Sequence, residues 1–261
     1  SQSSHLYIAF DPVAFSIGPL SVHWYGIMYL LAFGFFWAWG SHVARTRSWW
    51  GFKPEDVGDM LFYGMLGVVV GGRLGYVLFY GLDSLLRDPM FLFRVTEGGM
   101  SFHGGLLGVI AAMWWFGRKS GRGFWAVADF VAPLVPIGLG LGRIGNFIGG
   151  ELWGRVSDVP WAMVFANAVQ PGGWASEELR AAWAGGALDH LARHPSQLYQ
   201  ALGEGLGLFI VLAIYARHPR PTGAVLHQRR PLDRVHRVVQ RVQHHRIDRA
   251  RRQPRRAIVH A

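Results

Sequence analysis

The sequence predicts an all-α membrane protein, a polytopic bundle of apolar helices with a small head segment on its outer face. Of the 261 residues, 51% are hydrophobic and only 16% are charged, which argues against a soluble protein. Apolar stretches of about 20 residues, the length of a helix that crosses a bilayer, recur along the chain. The short loops between these stretches alternate between basic and non-basic composition, which is typical of a multi-span topology.

Five spans are predicted, with boundaries uncertain by a few residues. They cover residues 20–39, 60–80, 99–116, 126–148 and 197–216. Basic residues follow the first, third and fifth spans, as Arg45, Arg47 and Lys53, then Arg118, Lys119 and Arg122, then Arg217 and Arg220. The positive-inside rule therefore places these three loops in the cytoplasm and the N-terminus outside.

In this orientation, each span carries its polar groups toward the outer leaflet. In chain order these groups are His23 and Tyr25, Arg73, His103, Arg143 and Asn146, and finally His194, Gln197, Tyr199 and Glu204. Polar residues that serve only to pack helices would be scattered along the spans. Their coincidence predicts one polar cavity that opens outward.

The segment between the last two spans, residues 149–195, is too long for a tight turn. Its tryptophans are Trp153, Trp161, Trp174 and Trp183. Because Trp is enriched at membrane interfaces, we expect a small head that lies on the outer face. Within the fourth span, Pro133 and Pro136 predict a kinked or broken helix.

The stretch 138–154, GLGLGRIGNFIGGELWG, is the most informative part of the chain. Arg143 and Asn146 share one helix face at membrane depth. A guanidinium inside a bilayer is costly and must face a protein interior or a wet cavity. Its planar fork can hold a phosphate through two parallel hydrogen bonds, which predicts an anion clamp. The alternative is a structural ion pair with Glu151 or Asp129.

The other polar residues each have a functional and a structural interpretation. Arg73 either joins the anion site or extends outward to the interface. His103, in GGMSFHGG, is a proton acceptor or a hydrogen-bonded core residue. Tyr25 donates its hydroxyl to a lipid headgroup or belongs to the interfacial aromatic belt. Glu151 belongs to the site or forms a local pair with Arg155.

Residues 140–145, GLGRIG, match the dinucleotide fingerprint G-x-G-x-x-G. The preceding strand, the βαβ unit and the later acidic residue that this motif requires are missing, so we predict no nucleotide cofactor. G-x-x-x-G spacing instead favours close packing of helices. Gly67/Gly71, Gly104/Gly108 and Gly138/Gly142 all show this spacing. The absence of Cys excludes disulfides, thiolate metal sites and a cysteine nucleophile.

Five motifs carry a family resemblance. They are SVHWYGIMYL, GGRLGYVLFY, EGGMSFHGGLLG, GLGRIGNFIGGELWGR and RHPSQLYQALGEG, in this order. Over about residues 5–226 the chain resembles the prolipoprotein diacylglyceryl transferases of the bacterial inner membrane. The resemblance implies transfer of diacylglycerol from phosphatidylglycerol to the lipobox cysteine of a preprolipoprotein signal peptide, with release of glycerol 1-phosphate. It implies membrane lipids as neighbours and no cofactor, metal or nucleic acid.

The resemblance also implies residue roles, which we adopt as expectations. The expected catalytic residues are His103, Tyr25, Asn146 and Glu151. The expected ligands of the lipid phosphate are Arg143 and Arg73, and the expected site-shaping residues are Gly104, Gly145, Gly154 and His194. An arginine in a low-dielectric cavity would stabilise the leaving phosphate. A base is needed because the thiolate, not the thiol, is the nucleophile.

The resemblance ends near residue 226, which divides the chain into a membrane body, 1–226, and a tail, 227–261. The family continues with two further spans, for seven in total. Here the tail holds 11 Arg and two Asp, so it cannot form a span. We favour an out-of-frame translation product. The alternatives are a disordered tail attracted to anionic lipid and a nucleic-acid-binding arm. Without the two spans, one wall of the cavity is missing, and impaired activity is expected.

Two other classes of protein compete with the transferase. In a transporter or channel, Arg73, Arg143 and His103 would line a substrate path, and paired halves with broken helices would be expected. In a non-catalytic lipid-binding scaffold, phosphatidylglycerol would bind without release of glycerol phosphate.

Overall fold

The computed structural model describes residues 2–95 and 98–225, so the tail predicted at 227–261 lies outside the described residues. The helices are α1 (Trp24–Thr46), α2 (Pro54–Tyr80), α3 (Leu82–Arg87), α4 (Phe102–Lys119), α5 (Phe124–Val131), α6 (Val135–Gly149), α7 (Ala166–Val169), α8 (Glu177–Ala184), α9 (Ser196–Gln200) and α10 (Leu208–Tyr215). The strands are β1 (Leu6–Ile8), β2 (Val13–Ile17), β3 (Leu20–His23) and β4 (Met163–Phe165).

The predicted helical membrane bundle is confirmed. In the described part of the chain, four helical stretches are long and apolar enough to cross a bilayer. They are Trp24–Thr46, Pro54–Tyr80, Phe124–Gly149 and Ser196–Tyr215. The remaining predicted span is α4, whose 18 residues rise about 27 Å and end on Arg118 and Lys119. It is therefore shorter and less apolar than the other four, and it packs along α2.

The helix boundaries differ from the expected ones for local reasons. α1 begins at Trp24 because residues 20–23 pair with β2 in an antiparallel hairpin. α2 begins earlier than expected, at Pro54, where the Asp56 carboxylate accepts a hydrogen bond from the main-chain N–H of Lys53. A proline in the first turn and an acidic residue near a helix N-terminus both favour helix initiation. The break expected in the fourth span is a 3-10 turn, Ala132–Leu134, between α5 and α6.

Glycines bring pairs of helices into backbone contact. In the α2–α4 pair, a Cβ atom at Gly71 would lie 2.3 Å from the Gly104 carbonyl oxygen, and one at Gly108 would lie 1.8 Å from that of Gly67. α6 approaches the π-helical segment Ala201–Gly207 in the same manner. These helices pack closely because side chains are absent at the contacts.

The main hydrophobic core lies at one end of the bundle, where the C-terminal ends of α1 and α4 meet the N-terminal end of α2 and α5. Its members include Val43, Phe52, Val57, Phe116, Phe130 and Leu134. This is the end that carries the basic loops. α4 and α6 have almost no direct contact with each other, so toward the other end the bundle separates into an α2–α4 pair and an α1–α6 pair.

The head segment contains structure that the sequence did not predict. β4 pairs in parallel with β1, so the N-terminal residues belong to the head. A small core of Ala162, Val164, Leu188 and Ala192 packs against Tyr7, whose ring stacks on Trp183 at 5.2 Å. The head is thus attached to both the start of α1 and the end of α6.

Candidate functional site

A cavity of about 270 Å³ lies where the start of α1 meets the end of α6. Its lining residues are Pro12, His23, Trp24, Tyr25, Gly145, Ile148, Gly149 and Glu151. Gly145 permits the close approach of Tyr25, since a Cβ atom at this position would lie 3.0 Å from the Tyr25 ring. The cavity therefore brings together three of the expected site residues, Tyr25, Gly145 and Glu151.

Arg143 lies two residues before Gly145 on α6. Its side chain is half-buried. Within residues 2–95 and 98–225, its guanidinium donates no hydrogen bond and forms no ion pair, with Glu151 or with any other carboxylate. A half-buried guanidinium with no protein partner is available to an anionic ligand.

Asn146 is placed by the end of α6. The main-chain carbonyl oxygen of Asn146 accepts a hydrogen bond from the Glu151 main-chain N–H at 2.9 Å, and this bond folds the chain back after the helix. Gly150 takes the left-handed conformation, with φ of 64°, that this helix end requires. The fold-back carries Glu151 to the cavity beside Tyr25.

Gly154 and His194 form a second part of the site, on the head side of Glu151. The Gly154 N–H donates to the His194 carbonyl oxygen at 2.9 Å. A Cβ atom at Gly154 would lie 2.3 Å from the Ser196 hydroxyl oxygen and 2.7 Å from that same carbonyl oxygen. No larger residue fits this position without movement of the main chain.

The His194 ring has a defined partner of its own. Its Nδ1 lies 3.0 Å from the Tyr199 hydroxyl, which also accepts a hydrogen bond from the Trp161 indole N–H at 2.7 Å. Because the hydroxyl oxygen accepts from Trp161, its own proton is free to go to Nδ1 of His194. The His194 side chain therefore links the head to α9 and is not among the residues that line the cavity.

Arg73 was expected to share the anion site, but its guanidinium is occupied by protein. It is 97% buried and donates four hydrogen bonds to main-chain carbonyl groups of the loop that precedes α4. The acceptors are Phe91 at 2.5 Å, Gly98 at 2.7 Å, Leu92 at 3.1 Å and Gly99 at 3.2 Å. The guanidinium also lies 4.7 Å from the Phe91 ring centre. This geometry favours a role in holding the loop.

Replacing Arg73 tests these two roles. We expect Arg73→Gln to leave several buried carbonyl groups without donors and to lower the free energy of unfolding by about 3 kcal/mol. Cleavage of residues 89–99 by protease should accelerate, as measured in detergent. Arg87→Gln, an exposed neighbour on α3, is the matched control. Weaker phosphatidylglycerol binding by a variant of unchanged stability would instead make Arg73 a lipid ligand.

His103 lies in the first turn of α4, exposed, with its ring against Phe102 at 5.7 Å. The helix begins there because the Ser101 side chain accepts a hydrogen bond from the Gly104 N–H. Gly104 itself serves the contact with α2. Among the described residues, no contact joins His103 to the cavity that Tyr25 and Glu151 line, since α4 and α6 scarcely touch.

Sequence reasoning did not assign His23, Trp24 and Ile148 to the site, although all three line the cavity. His23 had been placed among the polar groups of the predicted outward cavity, without a role in the site. His23 and Trp24 directly precede Tyr25 in the sequence, and Ile148 lies one helix turn after Gly145. These positions point to the cavity only once the pairing of α1 with α6 is known.

Comparisons with known proteins extend this description. A family model described as "Prolipoprotein diacylglyceryl transferase" matches residues 12–228. A phosphatidylglycerol–prolipoprotein diacylglyceryl transferase of Glaesserella parasuis serovar 5 (strain SH0165) is 55% identical over 216 residues, which is 82% of this chain and 73% of the relative. The enzyme of the same name in Xanthomonas campestris pv. campestris (strain B100) is 54% identical over 218 residues, which is 83% of this chain and 73% of the relative. That of Vibrio vulnificus (strain CMCP6) is 56% identical over 216 residues, which is 82% of this chain and 72% of the relative.

Proposed function

The chain belongs to the prolipoprotein diacylglyceryl transferase family, and from this premise we propose how its residues perform the transfer. It is a membrane-bound transferase whose substrates are phosphatidylglycerol and a prolipoprotein. Nothing in the comparisons favours a transporter or a non-catalytic scaffold. The observation that carries the proposed mechanism is the half-buried, unpartnered guanidinium of Arg143 among the described residues, one helix turn from the cavity.

The reaction exchanges one bond for another at a single carbon of the lipid. A thiolate sulfur of the acceptor attacks the terminal glyceryl carbon of the diacylglycerol group. The bond from that carbon to the phosphate oxygen breaks, and a thioether forms. The electron pair leaves with the phosphate, which departs as glycerol 1-phosphate with additional negative charge. The acceptor in this proposal is the lipobox cysteine of the signal peptide.

Arg143 is assigned to the phosphate. Its fork can hold two phosphate oxygens, and its attraction strengthens as charge moves onto the leaving group. A low-dielectric surrounding increases this effect, and Arg143 lies on a helix that is apolar enough for a membrane span. Because no carboxylate among the described residues pairs with it, the positive charge is not already neutralised.

Tyr25, Asn146 and Glu151 are assigned to orientation of the headgroup. The glycerol headgroup carries hydroxyl groups, and the Glu151 carboxylate is an acceptor for them. The Tyr25 hydroxyl can donate to a phosphate oxygen. Because Tyr25 lies on α1 and Glu151 follows α6, the packing of these two helices at Gly145 sets the width of the site.

We place the site toward the outer leaflet of the bacterial inner membrane. The support is the charge distribution: the basic loops lie at the end of the bundle that holds the main core, and the cavity lies at the opposite ends of α1 and α6. A translocated precursor presents its cysteine on that side of the membrane.

The direct test is transfer from headgroup-labelled phosphatidylglycerol to a lipobox peptide by the full chain in detergent or vesicles. Release of labelled glycerol phosphate, together with a peptide heavier by one diacylglyceryl group, is the expected result. Binding of phosphatidylglycerol without release would support a scaffold. A version of the chain that continues with a family C-terminus after residue 225, assayed in parallel, tests the proposal that the 227–261 tail impairs the enzyme. Sequencing the gene through the codons after residue 225 tests the out-of-frame origin of the tail.

His103 is proposed as the base that accepts the thiol proton. We expect His103→Gln to lower kcat by about 100-fold, the usual range for loss of a general base, while phosphatidylglycerol still binds. Lipid binding is measured separately by quenching of tryptophan fluorescence, since Trp24 lines the cavity. Turnover of His103→Gln at the level of the unaltered chain would remove His103 from the mechanism.

A further inference from the structure

The turn after α6 holds a conformation that its own sequence does not favour. Gly150 has φ of 64°, and Leu152 has φ of 53°, in the left-handed region that non-glycine residues rarely adopt. Between them lies Glu151, the carboxylate of the cavity. Such a main chain is kept only where its surroundings determine it.

Two side-chain amides, one from the head and one from the start of the span that follows it, hold the turn in this conformation. Asn167 on α7 donates from Nδ2 to the Gly149 carbonyl oxygen at 2.8 Å. Its Oδ1 accepts from the Trp174 N–H at 3.2 Å, which fixes the orientation of the amide. Gln197 on α9 donates from Nε2 to the Glu151 carbonyl oxygen at 2.5 Å.

Gln197 is an unusual residue for this place. It is fully buried, and its Oε1 has no hydrogen-bond partner among the described residues. An unpartnered buried amide oxygen destabilises the fold, so stability alone does not account for Gln at this position. The part of the side chain that makes a contact is Nε2, which donates a hydrogen bond to the main-chain carbonyl oxygen of Glu151.

We propose that Asn167 and Gln197 are positioning residues, which hold the main chain at Gly149 and Glu151 so that the Glu151 carboxylate is kept in the cavity beside Tyr25. The inference rests on the proposed function, because it assigns the Glu151 carboxylate to substrate orientation. Asn167 lies in the head, and Gln197 lies at the start of the span that follows the head. The turn is therefore held from two sides, and the Asn167 contact couples the folding of the head to the geometry of the site.

The first test is Gln197→Met, which preserves volume and removes both the donor and the unpartnered oxygen. We expect kcat for transfer to fall by about 100-fold, the cost of a misplaced catalytic group. KM for phosphatidylglycerol should change less than kcat, because Arg143 is intact. The thermal midpoint should change little, because the Glu151 carbonyl oxygen loses its donor while the unpartnered Oε1 is removed. Gln200→Met, on the same short helix and without a side-chain hydrogen bond among the described residues, is the matched control.

Asn167→Asp tests the other side of the clamp. Its carboxylate can still accept from the Trp174 N–H, but it places an oxygen opposite the Gly149 carbonyl oxygen. We expect the same selective loss of kcat. If either variant loses kcat only in proportion to its loss of folded protein, or retains the kcat of the unaltered chain, the positioning role is wrong.

A double-mutant cycle separates positioning from a general structural effect. If Gln197 acts through Glu151, Gln197→Met should add little to the loss already caused by Glu151→Gln, whereas independent effects would multiply. Multiplied losses would overturn the proposal while leaving the transferase assignment intact. Failure of the unaltered chain, of the Gln200→Met control and of the version with a family C-terminus to release glycerol phosphate would instead reject the proposed function, and the inference with it.

Discussion

Arg143→Ala is expected to lower kcat/KM for transfer by at least about 100-fold, the loss that follows removal of one preorganised electrostatic group from a reaction centre. Both parameters should respond. KM for phosphatidylglycerol rises because the guanidinium holds the phosphate in the bound lipid, and kcat falls because the attraction grows as the phosphate leaves. The measurement is the initial rate of glycerol phosphate release over a range of lipid concentrations.

Two further variants identify the cause of that loss. Arg143→Lys retains a positive charge but not the planar fork, so an intermediate activity is expected if two phosphate oxygens are held together. Arg118→Ala removes an exposed arginine that lies against Trp114 at the far end of α4, and it should remain close to the unaltered chain. Equal losses in Arg143→Ala and Arg118→Ala would mean that overall charge matters rather than a phosphate site.

Arg73 and Arg143 show where sequence reasoning about this site stops. Both were recognised as arginines at membrane depth, and the cost of burying a guanidinium applies equally to each. What distinguishes them is the partner. The carbonyl groups of Phe91, Leu92, Gly98 and Gly99 converge on Arg73, which is a tertiary arrangement. No periodic pattern encodes such an arrangement, whereas the helical spans could be predicted from hydrophobicity.

The head illustrates the same limit at the level of the fold. β1 and β4 have three residues each and pair across about 157 positions of the chain. A strand of that length is too short for a detectable alternation of apolar and polar residues. The four tryptophans indicated a head, but not that residues 6–8 complete it. Consequently Asn167 and Gln197, whose importance depends on the folded head, had no signal in the sequence beyond the polar character of Gln197.

The glycine motifs occupy an intermediate position between these cases. G-x-x-x-G spacing indicated close helix packing, and the α2–α4 contact of Gly67 and Gly71 with Gly104 and Gly108 bears this out. The spacing did not identify partners. Gly138 only approaches the Ala32 side chain, at 3.4 Å, and Gly142 has no neighbour within 4 Å. A motif of small residues predicts that a surface can be approached, and the identity of the approaching helix depends on the whole bundle.

The α2–α4 contact leads to a prediction on stability and activity together, for Gly108→Ala. Alanine is the better helix former by about 1 kcal/mol, which alone would stabilise α4. However, its Cβ would lie 1.8 Å from the Gly67 carbonyl oxygen and 2.6 Å from its carbon, so the two backbones must move apart. Overpacking of this kind costs about 1–3 kcal/mol, and here the obstacle is main chain rather than a side chain that can rotate.

Gly105→Ala on the same helix is the matched control, because its Cβ would meet only the Val68 carbonyl oxygen at 3.7 Å and a Val68 methyl group at 3.9 Å. We expect it to be neutral or stabilising, while Gly108→Ala lowers the unfolding midpoint in a detergent titration. Since α2 and α4 carry Arg73 and His103, the separation should also lower transfer. Equal stability of the two variants would show that the α2–α4 pair tolerates a wider spacing, and the requirement for glycine at this contact would then be wrong.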